Sequence, residues 1–374
     1  MECEQPLNPL QCMFLERHLL QGQNFALYVV LPGTLKHQQW IDAVTTVHHR
    51  LGRLQTTIAL DPPRYVPTKR APIQHSWRLA HSWRQTLLEA LAEPLGVDGA
   101  AAYRWLRLET PSGQTVLALI GHPAWLDGWS ALVVMRALLA SLGRRAHREV
   151  PEAAVTSPAP RSEHPPQLSC ISLRADRTAT AALSAQARSA QSSTHGYIAA
   201  QLLLCLENAG LADPAERYVA SRVDLRRFLD EELRKQLGMQ VCEVVTAPHG
   251  APGNSEDVAV LAAQVRKSLH AIDSAQAQAT AVIESPEKLG TFVLSSAGEV
   301  SSLVGDDVQI LEIGAIQGPD ANRLVKASSG TYQAQLQLNL VFSHAAAHST
   351  QLANACLALS QRLTNSGDVS FVRW

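Results

Sequence analysis

The stretch GHPAWLDGWS, residues 121–130, decides how this sequence is read. Before it runs TVLALIGH, an apolar, β-branched segment of strand character; after it runs SALVVMRALLASLG, which carries one charge, Arg136, and stops at Gly143. The second segment reads as a largely buried helix with Ser130 near its N-cap and a glycine C-cap. AYRWLRLE and TVLALIGH flank TPSG, residues 110–113, a turn-forming tetrad, so the two runs are expected to form a β-hairpin that delivers His122 to the end of a strand. His122, Pro123, Asp127 and Gly128 then share one loop between strand and helix.

The surrounding chain alternates in the same way. NFALYVVLPG, residues 24–33, reads as a strand closed by Pro-Gly. In QWIDAVTTVHHRLGRLQTTI, Trp40, Ile41, Val44, Val47, Leu51 and Leu54 recur at helical spacing. Beyond residue 168, YIAAQLLLCLENAG reads as a buried helix, ERYVASRVDLR as a strand, DVAVLAAQVRKSLHAI as an amphipathic helix and GTFVLSSAG as a strand. TYQAQLQLNLVFSH alternates apolar and polar side chains from Tyr332 to Phe342 and reads as one strand; STQLANACLALSQRL closes the chain as a helix. Between the halves, PEAAVTSPAPRSEHPPQL, residues 151–168, holds five prolines and no hydrophobic period, and reads as a linker. The expected division is an N-terminal lobe over 1–150, the linker over 151–168 and a C-terminal lobe over 169–374, each lobe α+β, a mixed sheet packed with helices. HSWR occurs at residues 75–78 and again at 81–84; that offset matches no repeat architecture and reads as coincidence in a helix or loop.

Composition narrows the function classes. Of 374 residues, 46% are hydrophobic and 17% charged, the balance of a folded globular protein. With 32 basic against 33 acidic residues there is no basic excess to expect binding to nucleic acid or an anionic membrane. No apolar run approaches the roughly 20 residues that span a bilayer, and the acidic N-terminus lacks the form of a secretory signal, so a soluble, cytoplasmic protein is expected. The six cysteines, at 3, 12, 170, 205, 242 and 356, form no C-x-x-C pair and are expected as reduced core fillers. Phosphate-binding, dinucleotide-binding, zinc-protease and serine-elbow motifs are lacking, so no cofactor and no metal are expected.

The order of these features resembles the CoA-dependent acyltransferase superfamily, the group of chloramphenicol acetyltransferase, polyketide-associated acyltransferases and, above all, nonribosomal peptide synthetase condensation domains. Its HHxxxDG signature, set between a strand and a buried helix, corresponds here to HPAWLDG, followed by Trp129 and Ser130 as in the frequent DGWS ending. NPLQCMFLERHL resembles the family's opening segment. RLGRLQTTI, residues 50–58, resembles its RHxxLRTTF segment, with Leu51 for the histidine and Gln55 for the second arginine. RVDLRRFL resembles the strand whose arginine pairs with the signature aspartate, and VLSSAG, residues 293–298, the SNxG stretch beside the acyl channel.

What the resemblance implies is specific. The fold would be two chloramphenicol-acetyltransferase-like lobes forming a V-shaped pseudo-dimer with a central tunnel. The substrate would be a CoA or phosphopantetheine thioester, the partner an acyl or peptidyl carrier protein or another assembly-line enzyme. In working members the second signature histidine takes a proton from, or positions, the attacking nucleophile. Pro123 stands there and has neither a titratable group nor a backbone N–H. Asp127 would be structural, paired with Arg226 or, second, Arg222, and Gly128 would allow a close turn. Trp125, Trp129, Ser295, Ser296 and Gly298 would line the acyl or pantetheine path. His122 is the candidate replacement base, against a hydrogen-bonded core histidine; adjacent residues on an extended segment face opposite ways. His195 is a weaker candidate, and His48-His49 reads as a solvated helix face. Three functions are open: a condensation-type acyltransferase of nonribosomal peptide or polyketide biosynthesis, working without the usual histidine; a non-catalytic relative that binds a carrier protein or recruits a tailoring enzyme; and cyclisation or dehydration of a tethered intermediate, whose enzymes carry aspartate where His122 stands.

Overall fold

Apolar runs on both sides of the TPSG turn, buried on both faces, form the hairpin expected from the sequence. Tyr103–Glu109 pairs antiparallel with Gln114–Gly121, and the turn is tied by the Thr110 carbonyl accepting from Gly113. The computed structural model describes residues 4–68, 73–143, 168–214, 217–248, 256–272, 292–304, 308–318, 323–343, 349–363 and 369–374. Residues 151–167 of the expected linker, Cys3 and His344 lie outside them, whereas Leu168 already begins the strand Leu168–Ala175.

The chain forms two units. The first holds a sheet in the order Glu312–Gln317, Phe25–Pro32, Gln114–Gly121, Tyr103–Glu109, His75–Leu79, antiparallel except for the last pair. Helices Pro9–Gln21, His37–Arg50, Trp83–Ala92 and Gly128–Gly143 accompany it. Trp40 and Trp105 are fully buried and meet edge to face at 6.1 Å between centroids, each large side chain worth about 2–3 kcal/mol of burial. The helix read through to Leu54 ends at Arg50: Gly52–Gln55 is a 3₁₀ turn, and Thr56–Leu60 and Pro63–Pro67 form a small hairpin that β-branched Thr56, Thr57 and Ile58 favour. The first HSWR is strand and the second runs into a helix, so the two share no structure.

The expected boundaries place everything after residue 168 in the C-terminal lobe, and here the structure differs. Lys235–Met239 and Val300–Gly318 belong to the first unit. Glu312–Gln317 is a sheet strand there, and the Glu312 carboxylate accepts from the Tyr28 hydroxyl at 3.0 Å and from Arg84 at 3.2 Å. The other segment is bound by its backbone: the Met239 carbonyl accepts from the Gln11 side chain at 3.3 Å, and the Leu237 carbonyl from Arg53 at 3.0 Å.

The second unit carries a seven-stranded sheet among the described residues, in the order Val241–Thr246, Val219–Asp224, Phe292–Glu299, Val325–Tyr332, Gln335–Ser343, Leu168–Ala175, Val369–Arg373. Phe292–Glu299 runs parallel to both neighbours. Helices Arg177–Ser189, Thr194–Asn208, Glu256–His270 and Ser349–Leu363 accompany it, and Leu336, Leu338, Leu340 and Phe342 join one apolar cluster with Leu202, Leu203, Leu206 and Leu261. The segment read as a single strand from Tyr332 is a hairpin end: the chain reverses at Gln333 and Ala334, with φ of 50° and 62°. Neither residue is the glycine or asparagine that advertises such a turn, which is why the alternation ran on unbroken.

Candidate functional site

The HPAWLDG loop belongs to the first unit, and nearly every polar group in it is used internally. The His122 N–H donates to Ala102 (3.0 Å), closing the strand end; the His122 carbonyl accepts from Trp125 (3.0 Å) and Leu126 (3.2 Å). Ala124 donates its N–H to His122 Nδ1 at 3.0 Å and accepts the Tyr65 hydroxyl at 2.5 Å. Asp127 Oδ1 accepts from the Ser130 N–H at 2.8 Å, and its carbonyl begins the helix ladder to Ala131. The helix cap is therefore Asp127 and not Ser130, because the carboxylate reaches the third helical N–H and favours the positive end of the dipole. Ser130 is instead buried and clamps Gly238: its hydroxyl accepts from the Gly238 N–H and donates to the Gly238 carbonyl, both at 3.0 Å.

His122 is fully buried, and its two nitrogens have fixed roles. Nδ1 accepts the Ala124 N–H, so the proton sits on Nε2, which has no hydrogen-bond partner among the described residues. The ring lies 3.9 Å, centroid to centroid, from that of His18. Burial, reinforced by His18, holds its pKa well below the ordinary histidine range. A neutral ring whose only lone pair is occupied takes no proton from a nucleophile unless the loop opens. Pro123 is buried beside it.

Two other expectations at this loop are corrected. Trp125 is fully buried, stacked on Tyr103 at 5.0 Å and 2°, and donates its indole N–H to Thr56 at 3.1 Å, so it is core and not the wall of an acyl path. Gly128 is exposed in the first helical turn and a Cβ there meets nothing within 4 Å among the described residues; no close approach demands glycine. Trp129 is half-buried on the same turn. His48 departs from the solvated face expected for it: it is buried with Nδ1 2.6 Å from the Tyr103 hydroxyl, and burial and His49 bring its pKa down to about 4. His49 is exposed.

Beside Thr56 and Tyr65 the first unit opens a cleft of about 580 Å³, rimmed by Arg50, Arg53 and Lys235 against the single acid Glu4. Arg53 lies 3.8 Å over the Tyr65 ring, so one cation is fixed in place while Arg50 and Lys235 stand exposed. Three cations against one acid give this cleft a positive balance of charge.

The remaining candidates are in the second unit. Arg226 is buried in the turn Leu225–Phe228, its backbone and guanidinium both on Asp224, at 2.9 and 3.2 Å; Arg222 is half-buried on the preceding strand. Asp127 and Arg226 thus lie in different units. Ser295 pairs in register with Ser328 and Arg222. Past Ser296 the register shifts, and Gly298 takes a φ of 68° in that bulge, where glycine is conformationally required. His195, in the first turn of Thr194–Asn208, joins two strands: Nδ1 lies 2.8 Å from the Ser296 hydroxyl and Nε2 2.9 Å from that of Ser221. Ser296 also meets the Ser329 hydroxyl at 2.6 Å. Sequence reading named His195 and Ser296 separately; their union, from a helix and two strands, left no local signal. The same holds for His18 against His122. Among the described residues no group of three or more His, Cys, Asp or Glu could hold a metal, and no helix is long and apolar enough to cross a membrane.

No family model and no curated protein sequence matches the chain. Solved structures do. The first condensation domain of the CDA synthetase aligns with a TM-score of 0.69 at 12% identity, covering 99% of both chains. Polyketide synthase associated protein 5 from Mycobacterium tuberculosis gives 0.66 at 14% identity, covering 96% of this chain and 97% of that one. The X-domain from teicoplanin biosynthesis gives 0.60 at 16% identity, covering 99% and 97%. The chain therefore has the condensation-domain fold, with two chloramphenicol-acetyltransferase-like units.

Proposed function

We propose that this protein is a condensation-like member of a nonribosomal peptide or polyketide assembly line whose HPAWLDG site has lost amide- and ester-forming chemistry and which acts by binding a carrier protein. The observation that carries the reading is the state of the two positions where a base belongs. Pro123 has no proton-accepting atom, and the His122 lone pair is committed to the Ala124 N–H. Likeness to condensation, polyketide-associated and X-domain structures supplies the setting. Fold alone does not choose between activity and docking, so the site decides.

In this reading Asp127, as the cap of its helix, holds the loop without chemistry. The phosphate of a carrier-bound phosphopantetheine, or of CoA, is the anion suited to the cleft of Arg50, Arg53 and Lys235. Titration with holo peptidyl carrier proteins by calorimetry tests the docking role. Saturable binding is expected, weakened tenfold or more by Arg50→Glu; a set of holo carrier proteins that gives no heat and no complex on size exclusion contradicts it.

A further inference from the structure

We propose that Ser296 and His195 form a nucleophile and base pair that hydrolyses acyl thioesters and activated acyl esters. The inference does not rest on the docking role. Ser296 is exposed at the start of the bulge in Phe292–Glu299, where the shift of register turns the strand out of its ladder. Its hydroxyl is 2.8 Å from His195 Nδ1, within reach for direct proton transfer.

The hydrogen bonds allow one consistent arrangement for attack. The Ser329 hydroxyl donates to Ser296 Oγ, Ser296 donates to His195 Nδ1, and His195 Nε2–H donates to Ser221, which is fully buried. In that arrangement the Ser221 hydroxyl accepts the Nε2 proton, and Ser329 places a donor on the oxygen that becomes the nucleophile. Burial lowers the His195 pKa to about 4, so the ring is neutral at pH 7 and its Nδ1 lone pair faces the Ser296 hydroxyl in this arrangement.

The step balances. Ser296 Oγ bonds to the acyl carbon while its proton passes to His195 Nδ1; the C–S or C–O bond to the leaving group breaks, and the leaving group takes that proton. Water then attacks the acyl-serine carbon, delivering a proton to His195; the C–Oγ bond breaks and Ser296 recovers the proton. One thioester and one water become one acid and one thiol.

The test is labelling of the full chain by a fluorophosphonate probe, with the adduct mapped by mass spectrometry, alongside hydrolysis of acetyl-N-acetylcysteamine with no amine acceptor or carrier protein present. The wild type is expected to carry the adduct on Ser296 and to turn over the thioester. Ser296→Ala should lose both, and His195→Gln should slow both by about 100-fold or more, with thermal unfolding showing both variants folded. An unlabelled wild type, equal labelling of Ser296→Ala, or an unchanged rate in folded His195→Gln overturns the proposal. Because carrier protein and acceptor are left out, failure here leaves the docking reading standing, and failure of docking leaves this result untouched.

Discussion

At the position where the signature would carry its base, the chain places a proline, and one residue earlier a histidine whose Nδ1 is spent on holding its own loop. The proline was legible in the sequence; the sealing of His122 was not, because it depends on Ala124 turning back and on His18 arriving from another helix. Burial has a consequence for stability. His48 and His122 have folded pKa values below 6.5, about 4 for His48, and regain ordinary values on unfolding. Below pH about 6.5 the unfolded chain binds protons that the folded chain refuses, so stability falls as pH drops toward 4, by up to about 1.4 kcal/mol per pH unit for each such group. Urea midpoints measured from pH 7 to pH 5 should decline, and the decline should be shallower in His48→Gln; a flat profile would contradict the burial described. At the cap, Asp127→Ala should cost about 1 kcal/mol in chemical denaturation, whereas Asp127→Asn retains the acceptor and most of the stability. Gly128→Ala, at an open helical site, should be neutral or stabilising by up to about 1 kcal/mol.

Elements followed the hydrophobic pattern wherever turn chemistry agreed with it. The Tyr103–Glu109 and Gln114–Gly121 hairpin, the helix Thr194–Asn208 and the strand Phe25–Pro32 were all read from period and punctuation. The hairpin at Gln333-Ala334 was missed because two residues with side chains occupy left-handed conformations that glycine and asparagine normally mark. That mismatch makes a prediction: Gln333→Asn with Ala334→Gly should raise the melting temperature, since each non-glycine residue in this region costs on the order of 1 kcal/mol. A lowered melting temperature would show that the side chains earn their place by other contacts. The segment Lys235–Met239 was invisible for a different reason, since it is held through backbone atoms that carry no sequence signature. Ser130→Ala removes both hydrogen bonds to Gly238, a loss of about 1–3 kcal/mol in an unfolding titration.

For the whole molecule, the α+β class and the two-part organisation were readable from alternating elements around a proline-rich break, but the boundaries were not. The first unit needs Glu312–Gln317 as a sheet strand, with the Glu312 carboxylate on Tyr28 and Arg84. A fragment ending at residue 166 therefore exposes the Phe25–Pro32 edge and should fail to give a dispersed amide NMR spectrum, where a self-sufficient N-terminal lobe would give one. The most direct test is the rate of amide formation from an aminoacyl carrier-protein thioester and an amine acceptor, measured under single turnover for the wild type and for His122→Ala. Both should proceed at the uncatalysed background rate; a wild-type rate well above background that collapses in His122→Ala would contradict the claim that this loop has lost its base.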